Sequence, residues 1–151
     1  MKKKYIILCL IPVFFLLIIK LMVIMVVQPS IPMGFYFKSP VRDYKKGDTI
    51  LFRIDDEYQK FFKEDKVKLN YIAKKIVATH GDKVEIKNKR IFVNGEDYGE
   101  ILDIKIATPK IKIDRDCYFL LSKQKNSFDS RYYGQVCKKQ IKNKLHLLWR
   151  Y

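Results

Sequence analysis

Histidine is nearly missing from this chain, which holds only His80 and His146 in 151 residues. His80 sits in the turn-like run Thr79-His-Gly-Asp82, His146 lies among Leu145, Leu147 and Leu148, and no Gly-x-Ser-x-Gly elbow occurs anywhere. Those surroundings do not suit a Ser-His-Asp centre, so both histidines are read as structural. Cysteine is also sparse: Cys9, Cys117 and Cys137 show no metal-ligand spacing, and neither a metal nor a cofactor is expected. Cys117 and Cys137 each stand ten residues from Ser127, so a hairpin centred there sets them opposite each other. A disulfide and a pair of small buried apolar residues both fit that placement. No acid occurs in residues 1–27, and internal repeats and low-complexity tracts are absent.

What is present begins with Tyr5 to Val27, apolar apart from Lys20. About 20 such residues cross a hydrocarbon layer of roughly 30 Å, and one long lysine stem is tolerated within them. The run exits through Val26-Val27-Gln28-Pro29 without a small-x-small cleavage site, so a retained transmembrane anchor is expected rather than a removed signal peptide. The predicted organisation is residues 1–4 as an N-terminal tail, 5–27 as the anchor and 28–151 as one domain. Lys2, Lys3 and Lys4 on one flank are nearly cancelled by Lys38, Arg42, Lys45 and Lys46 on the other, so charge leaves the orientation open.

The formal charge is +15, from 31 Lys and Arg against 16 Asp and Glu. Four of the lysines lie in residues 1–27, which leaves 27 bases and a charge of +11 for the rest. They are scattered through strand-like segments, so no specific nucleic-acid partner is expected. Anionic lipid of an adjacent bilayer is the expected counter-surface.

Beyond a Pro/Gly-punctuated segment at 28–47, the pattern is mostly β. Alternation predicts strands at 48–54, 71–78, 84–86, 91–93, 101–106, 111–113, 117–121, 132–136 and 145–149, with turns at Thr79–Asp82 and Asn94-Gly95. Tyr58, Phe61 and Phe62 at helical spacing predict a short amphipathic helix over 55–66. Many short strands of this kind imply a mostly antiparallel β domain.

Ser30 lies between Pro29 and Pro32, whose rings fix φ and stiffen the turn. A serine hydroxyl needs a base, and a lysine can supply one where burial lowers its pKa. In Tyr71-Ile-Ala-Lys-Lys-Ile-Val-Ala78 a strand sends Lys74 to the face of Ile72 and Ile76, and Lys75 to the other.

Ser30-Ile-Pro32, Lys74 to Asp82, Ile91-Phe-Val-Asn-Gly95 and Asn126-Ser-Phe-Asp-Ser-Arg-Tyr-Tyr-Gly134 resemble, in order and spacing, the successive boxes of the signal peptidase I superfamily. The pattern Ser-x-Pro-x-Gly-x-Tyr at Ser30 to Tyr36 looks more like its TraF-type conjugal-transfer branch, which processes pilin or other transfer-apparatus precursors. The resemblance implies a signal-peptidase-like antiparallel β domain on the outer face of the cytoplasmic membrane. It makes Ser30 the catalytic nucleophile and Lys74 the general base, with Ser127 orienting the lysine amine and Asp129 and Arg131 as a supporting ion pair. Secreted or pilin-like precursor proteins are the implied substrates, with water or an amine completing the reaction. Leu121-Ser-Lys123 replaces the Gly-Asp-Asn usual in housekeeping members, His80 stands where proline is common, and Gln28 stands where many members carry an oxyanion-assisting hydroxyl. A housekeeping signal peptidase and a noncatalytic membrane-anchored scaffold are the alternative readings.

Overall fold

β-Branched and aromatic residues at alternating positions pair, in the described residues, into two antiparallel sheets. The computed structural model describes residues 2–27, 29–58, 71–102, 111–124 and 126–151, with side chains from Ile11 onward. Helix α1 (Lys2–Met22) leads directly into β1 (Val23–Val26). There follow β2 (Gly34–Ser39), β3 (Thr49–Arg53), β4 (Tyr71–Thr79), β5 (Val84–Lys87), β6 (Arg90–Val93), β7 (Glu96–Glu100) and β8 (Cys117–Leu121). A short helix α2 (Ser130–Tyr133), β9 (Val136–Cys137) and β10 (Ile141–Arg150) complete the chain.

The larger sheet runs β1-β2-β10-β3-β4-β8-β9, and the smaller one runs β5-β6-β7. Since paired residues share a face, the register of β3, β4 and β8 sorts the core into two sides. Ile50 opposite Lys74 and Ile76 opposite Leu120 place those four side chains on one side. There Ile50, Ile76 and Leu120 join Phe52, Ile54, Ile72, Val136 and Ile141 in the main apolar cluster. Thr49 opposite Lys75, Leu51 opposite Ala73 and Lys75 opposite Leu121 face the other way. On that side Ile31, Tyr36, Leu51 and Leu145 form a second cluster.

The mostly β architecture matches the expectation, and several boundaries differ. The apolar run read as one span over 5–27 divides: helix ends at Met22, and Val23–Val26 pairs antiparallel with β2, Val26 standing opposite Gly34. Val23, Ile24 and Val26 have the stiff branched side chains that favour a pleated strand once a partner strand is at hand. Among the described residues no helix is both long and apolar enough to cross a membrane. Residues 132–136, read as one strand, split between α2 and β9: the Asp129 carboxylate accepts from Arg131 N–H at 3.1 Å and caps α2, and Gly134 ends it. Residues 111–113 carry no strand; Ile113 is buried instead, and its carbonyl lies 2.9 Å from His80 Nδ1. Of the helix read over 55–66, residues 59–66 lie outside the described residues, as do 103–106 of the strand read over 101–106. Strands β1, β2 and β7 lie where no strand is predicted.

Cys117 stands opposite Cys137 in the β8–β9 ladder, and a disulfide joins them. The bond closes the segment that holds Ser127, Asp129 and Arg131. Disulfides persist in oxidising compartments, and such a cross-link removes freedom from the unfolded chain worth about 3 kcal/mol for a loop near this length.

Candidate active site

Strand alternation brings Lys74 inward. It is 5% exposed, whereas its neighbour Lys75 is exposed on the opposite face. Lys74 Nζ donates to Ser127 Oγ at 2.7 Å, and Ser127 is itself 5% exposed. Burial drives the Lys74 pKa from 10.5 down to about 8; the Asp129 carboxylate opposes the shift and the Arg131 guanidinium adds to it. At neutral pH such an amine holds a neutral fraction of roughly a tenth, about two orders of magnitude more than an ordinary lysine.

The loop that presents Ser127 is held by a buried ion pair. Arg131 Nη2 lies 2.6 Å and Nε 2.8 Å from the two Asp129 carboxylate oxygens, a fork that leaves both groups almost wholly buried. Arg131 also donates to the carbonyl of Ser122 at 2.8 Å, while Ser122 N–H donates to Asp129 Oδ2 at 3.0 Å. Ser127 N–H donates to the Gln124 carbonyl, and the Ser130 hydroxyl accepts from Leu120 N–H. Lys74 and the hydroxyl that holds it are thereby tied to β8 on one side and to the ion pair on the other. The Ser122 ties had no sequence signal beyond its place in Leu121-Ser-Lys123.

Ser30 lies in the connection between β1 and β2, half-buried, and lines a cleft of about 680 Å³. The turn is braced from below: the Tyr36 hydroxyl donates to the Pro32 carbonyl at 2.7 Å, and Ile31 packs with Leu51 and Leu145. Gly34 answers a close approach, since a Cβ there would stand 2.1 Å from the Trp149 carbonyl oxygen on β10. The glycine and tyrosine of the Ser30–Tyr36 pattern thus have local structural reasons. Gln28 lies outside the described residues.

Lys75, Leu121, Ser122 and Gln124 also line the cleft, so the loop that orients Lys74 forms part of its wall. Lys74 itself is not a lining residue, and among the described residues no hydrogen bond joins it to Ser30. The structure brings together Lys74, Ser127, Asp129 and Arg131, and sets Ser30 apart from them in the cleft that Lys75, Ser122 and Gln124 also line. No group of three or more metal-ligating side chains occurs among the described residues.

Residues 2–150 match the family described as signal peptidase, peptidase S26. The chain belongs to that family. A curated relative, signal peptidase I P of Bacillus subtilis subsp. natto, is 27% identical over 103 residues, which cover 59% of this chain and 50% of the relative. The chain therefore spans about half the length of the curated relative it matches. Among solved structures, a signal peptidase I from Enterococcus faecalis V583 aligns at 18% identity and a TM-score of 0.42, covering 69% of this chain and 97% of that one.

Proposed function

We propose that this S26-family chain is a membrane-anchored serine endopeptidase in which Ser30 attacks a peptide carbonyl and Lys74 takes its proton. The observation that carries the reading is the lysine: buried, shifted to about 8 and held at 2.7 Å by Ser127. An ordinary structural lysine has no reason to accept that desolvation cost. Ser127 and Ser30 differ in access. Ser127 is 5% exposed and closed to a polypeptide, whereas Ser30 is half-buried and opens on the cleft. That difference favours Ser30 as nucleophile and Ser127 as the group that aims the base. Catalytic hydrogen bonds often tighten only when substrate is bound, and closure of the Ser30 turn toward Lys74 is the movement this mechanism requires. The neutral amine then accepts the hydroxyl proton, returns it to the leaving amine, and activates the water or amine that releases the acyl group.

The anchor is supported by the apolar sequence of Tyr5 to Met22 and by the outward exposure of Ile11, Phe14, Phe15, Leu16 and Leu21 on α1. The disulfide supports an extracytoplasmic domain. Substrates on this reading are secreted or pilin-like precursors presented at the outer face of the cytoplasmic membrane, and the Ser30-x-Pro-x-Gly-x-Tyr36 pattern favours the conjugal-transfer branch. The likeness to a Bacillus signal peptidase I favours a second reading, general preprotein processing. Deleting the chain separates them: loss of bulk secretion supports the second, and loss of conjugal transfer with secretion intact supports the first. The central test is precursor cleavage by purified Ser30→Ala and Lys74→Ala variants, each expected to lose about 10⁴–10⁶ in rate. Normal processing by either overturns the mechanism.

A further inference from the structure

The cleft beside Ser30 has an apolar floor and a cationic rim. Ile31, Tyr36, Leu121 and Leu145 line its floor, and Lys46, Lys75, Lys123 and Arg150 are its charged lining residues. Among the described residues no Asp or Glu lines it, although the chain contains 16. Lys46 has a loose ion pair to Asp82 at 3.9 Å, while Lys75, Lys123 and Arg150 make none among the described residues. The Arg150 charge reaches the floor, where it pulls down the Tyr36 phenol pKa against the larger upward effect of burial. Lys75 projects to the cleft side by the same alternation that buries Lys74. Four like charges around an apolar trough repel one another, and a carboxylate entering between them relieves that repulsion.

We propose that this cleft selects precursor segments carrying an acidic side chain, Asp or Glu, within a few residues of the bond to be cut. The proposal rests on the peptidase reading and gives its substrate class. An apolar or small residue meets the Ile31–Leu145 floor, and a neighbouring carboxylate meets Lys75, Lys123 or Arg150 at the rim. Exposed ion pairs contribute about 1.4- to 5-fold each, so two of them together give a preference of roughly 2- to 25-fold at low salt. Screening should erase most of it near 0.5 M salt, where the Debye length is roughly 4 Å.

The test uses the full chain in detergent micelles and three peptides identical except for Glu, Gln or Lys at one position flanking the cleavage site. The expected ranking in kcat/KM is Glu over Gln over Lys, collapsing as salt is added. Lys75→Glu or Arg150→Glu should flatten the ranking, and Lys142→Glu, on an exposed position outside the cleft, should leave it in place. Equal rates for the three peptides overturn the proposal and leave the peptidase reading standing. An equal response to Lys142→Glu and Lys75→Glu also overturns it, since the effect then belongs to overall charge. Peptide binding to Ser30→Ala, followed by fluorescence anisotropy, reads the same ranking where no peptide is cut. Equal affinities there, or capture of anionic vesicles without discrimination among the peptides, overturn the proposal as well.

Discussion

Lys74 and Ser127, 53 residues apart in sequence, meet through a buried 2.7 Å hydrogen bond between amine and hydroxyl. The contact fixes the direction of the amine while burial sets its proton affinity, two separate requirements for a base met by one arrangement. Removing the Ser127 hydroxyl should therefore damage the direction more than the substrate binding. Ser127→Ala is expected to lower kcat by about 10²–10³ with KM nearly unchanged, since an orienting group of this kind supports a general base worth about 10²–10⁴. A loss as complete as that of Ser30→Ala, combined with acylation at position 127 in mass spectra, would make Ser127 the nucleophile.

The pH dependence follows from the same lysine. Only the neutral amine accepts a proton, so kcat/KM for precursor cleavage should rise with pH and level off above about 8. The stability profile moves in the same direction. The unfolded lysine titrates near 10.5 and the folded one near 8, so between those values the unfolded state binds more protons and stability rises with pH. The total is roughly 3 kcal/mol at most. Lys74→Met should flatten that rise between pH 8 and 10.5 while abolishing activity, read from urea midpoints across the pH range. An unchanged slope in the variant would assign the titration to another group.

The Asp129–Arg131 pair should be costly to break from one side. Asp129→Ala leaves a guanidinium buried without its carboxylate, and a loss of about 3–5 kcal/mol in unfolding free energy is expected. Replacing both residues by apolar ones of similar size should recover much of that stability without recovering cleavage, because the Ser127 loop then lacks its ties to Ser122. Equal activity in the double variant would show the pair to be dispensable for aiming the base.

Gly34 is expected to tolerate no side chain. Gly34→Ala places a methyl 2.1 Å from the Trp149 carbonyl, so β2 and β10 have to separate locally. A cost of about 1–3 kcal/mol is expected, together with a fall in kcat, because the same strand carries Tyr36, whose hydroxyl holds the Pro32 carbonyl. Tyr36→Phe should reproduce the kcat fall with a milder stability loss of about 1 kcal/mol. Thermal melts and steady-state rates on both variants separate the two contributions.

Much of this was legible residue by residue where one force dominated. Strand β4 was, because period-2 alternation around Ile72, Lys74 and Ile76 has one reading, and it gave the inward turn of Lys74 directly. The opposition of Cys117 and Cys137 follows from their symmetry about Ser127, whereas spacing alone fits a disulfide and a buried apolar pair equally, and the structure bonds them. The role of Ser127 came only through resemblance, since nothing local in Asn126-Ser-Phe points to a lysine 53 residues away. Strand β1 was hidden because hydropathy cannot distinguish an apolar helix from an apolar strand, and the partner that decides, β2, lay in a segment read as Pro/Gly-punctuated loop. Helix α2 was hidden because Tyr132, Tyr133 and Val136 favour strands, and a buried side-chain cap from Asp129 outweighs that preference.

Met22 and Val23 are consecutive, so α1 passes into β1 with no slack linker. Val23 to Val26 is then locked to Phe37 to Gly34 by backbone pairing, and Ser30 follows four residues later. Such a joint works as a ruler for the proposed nucleophile: paired β1 fixes the level at which the chain enters the Ser30 turn, and a polypeptide cut there would be measured from that level. Lengthening the stretch between Val26 and Ser30 would shift the gauge, whereas exchanging the residues of the helix itself would leave it reading the same.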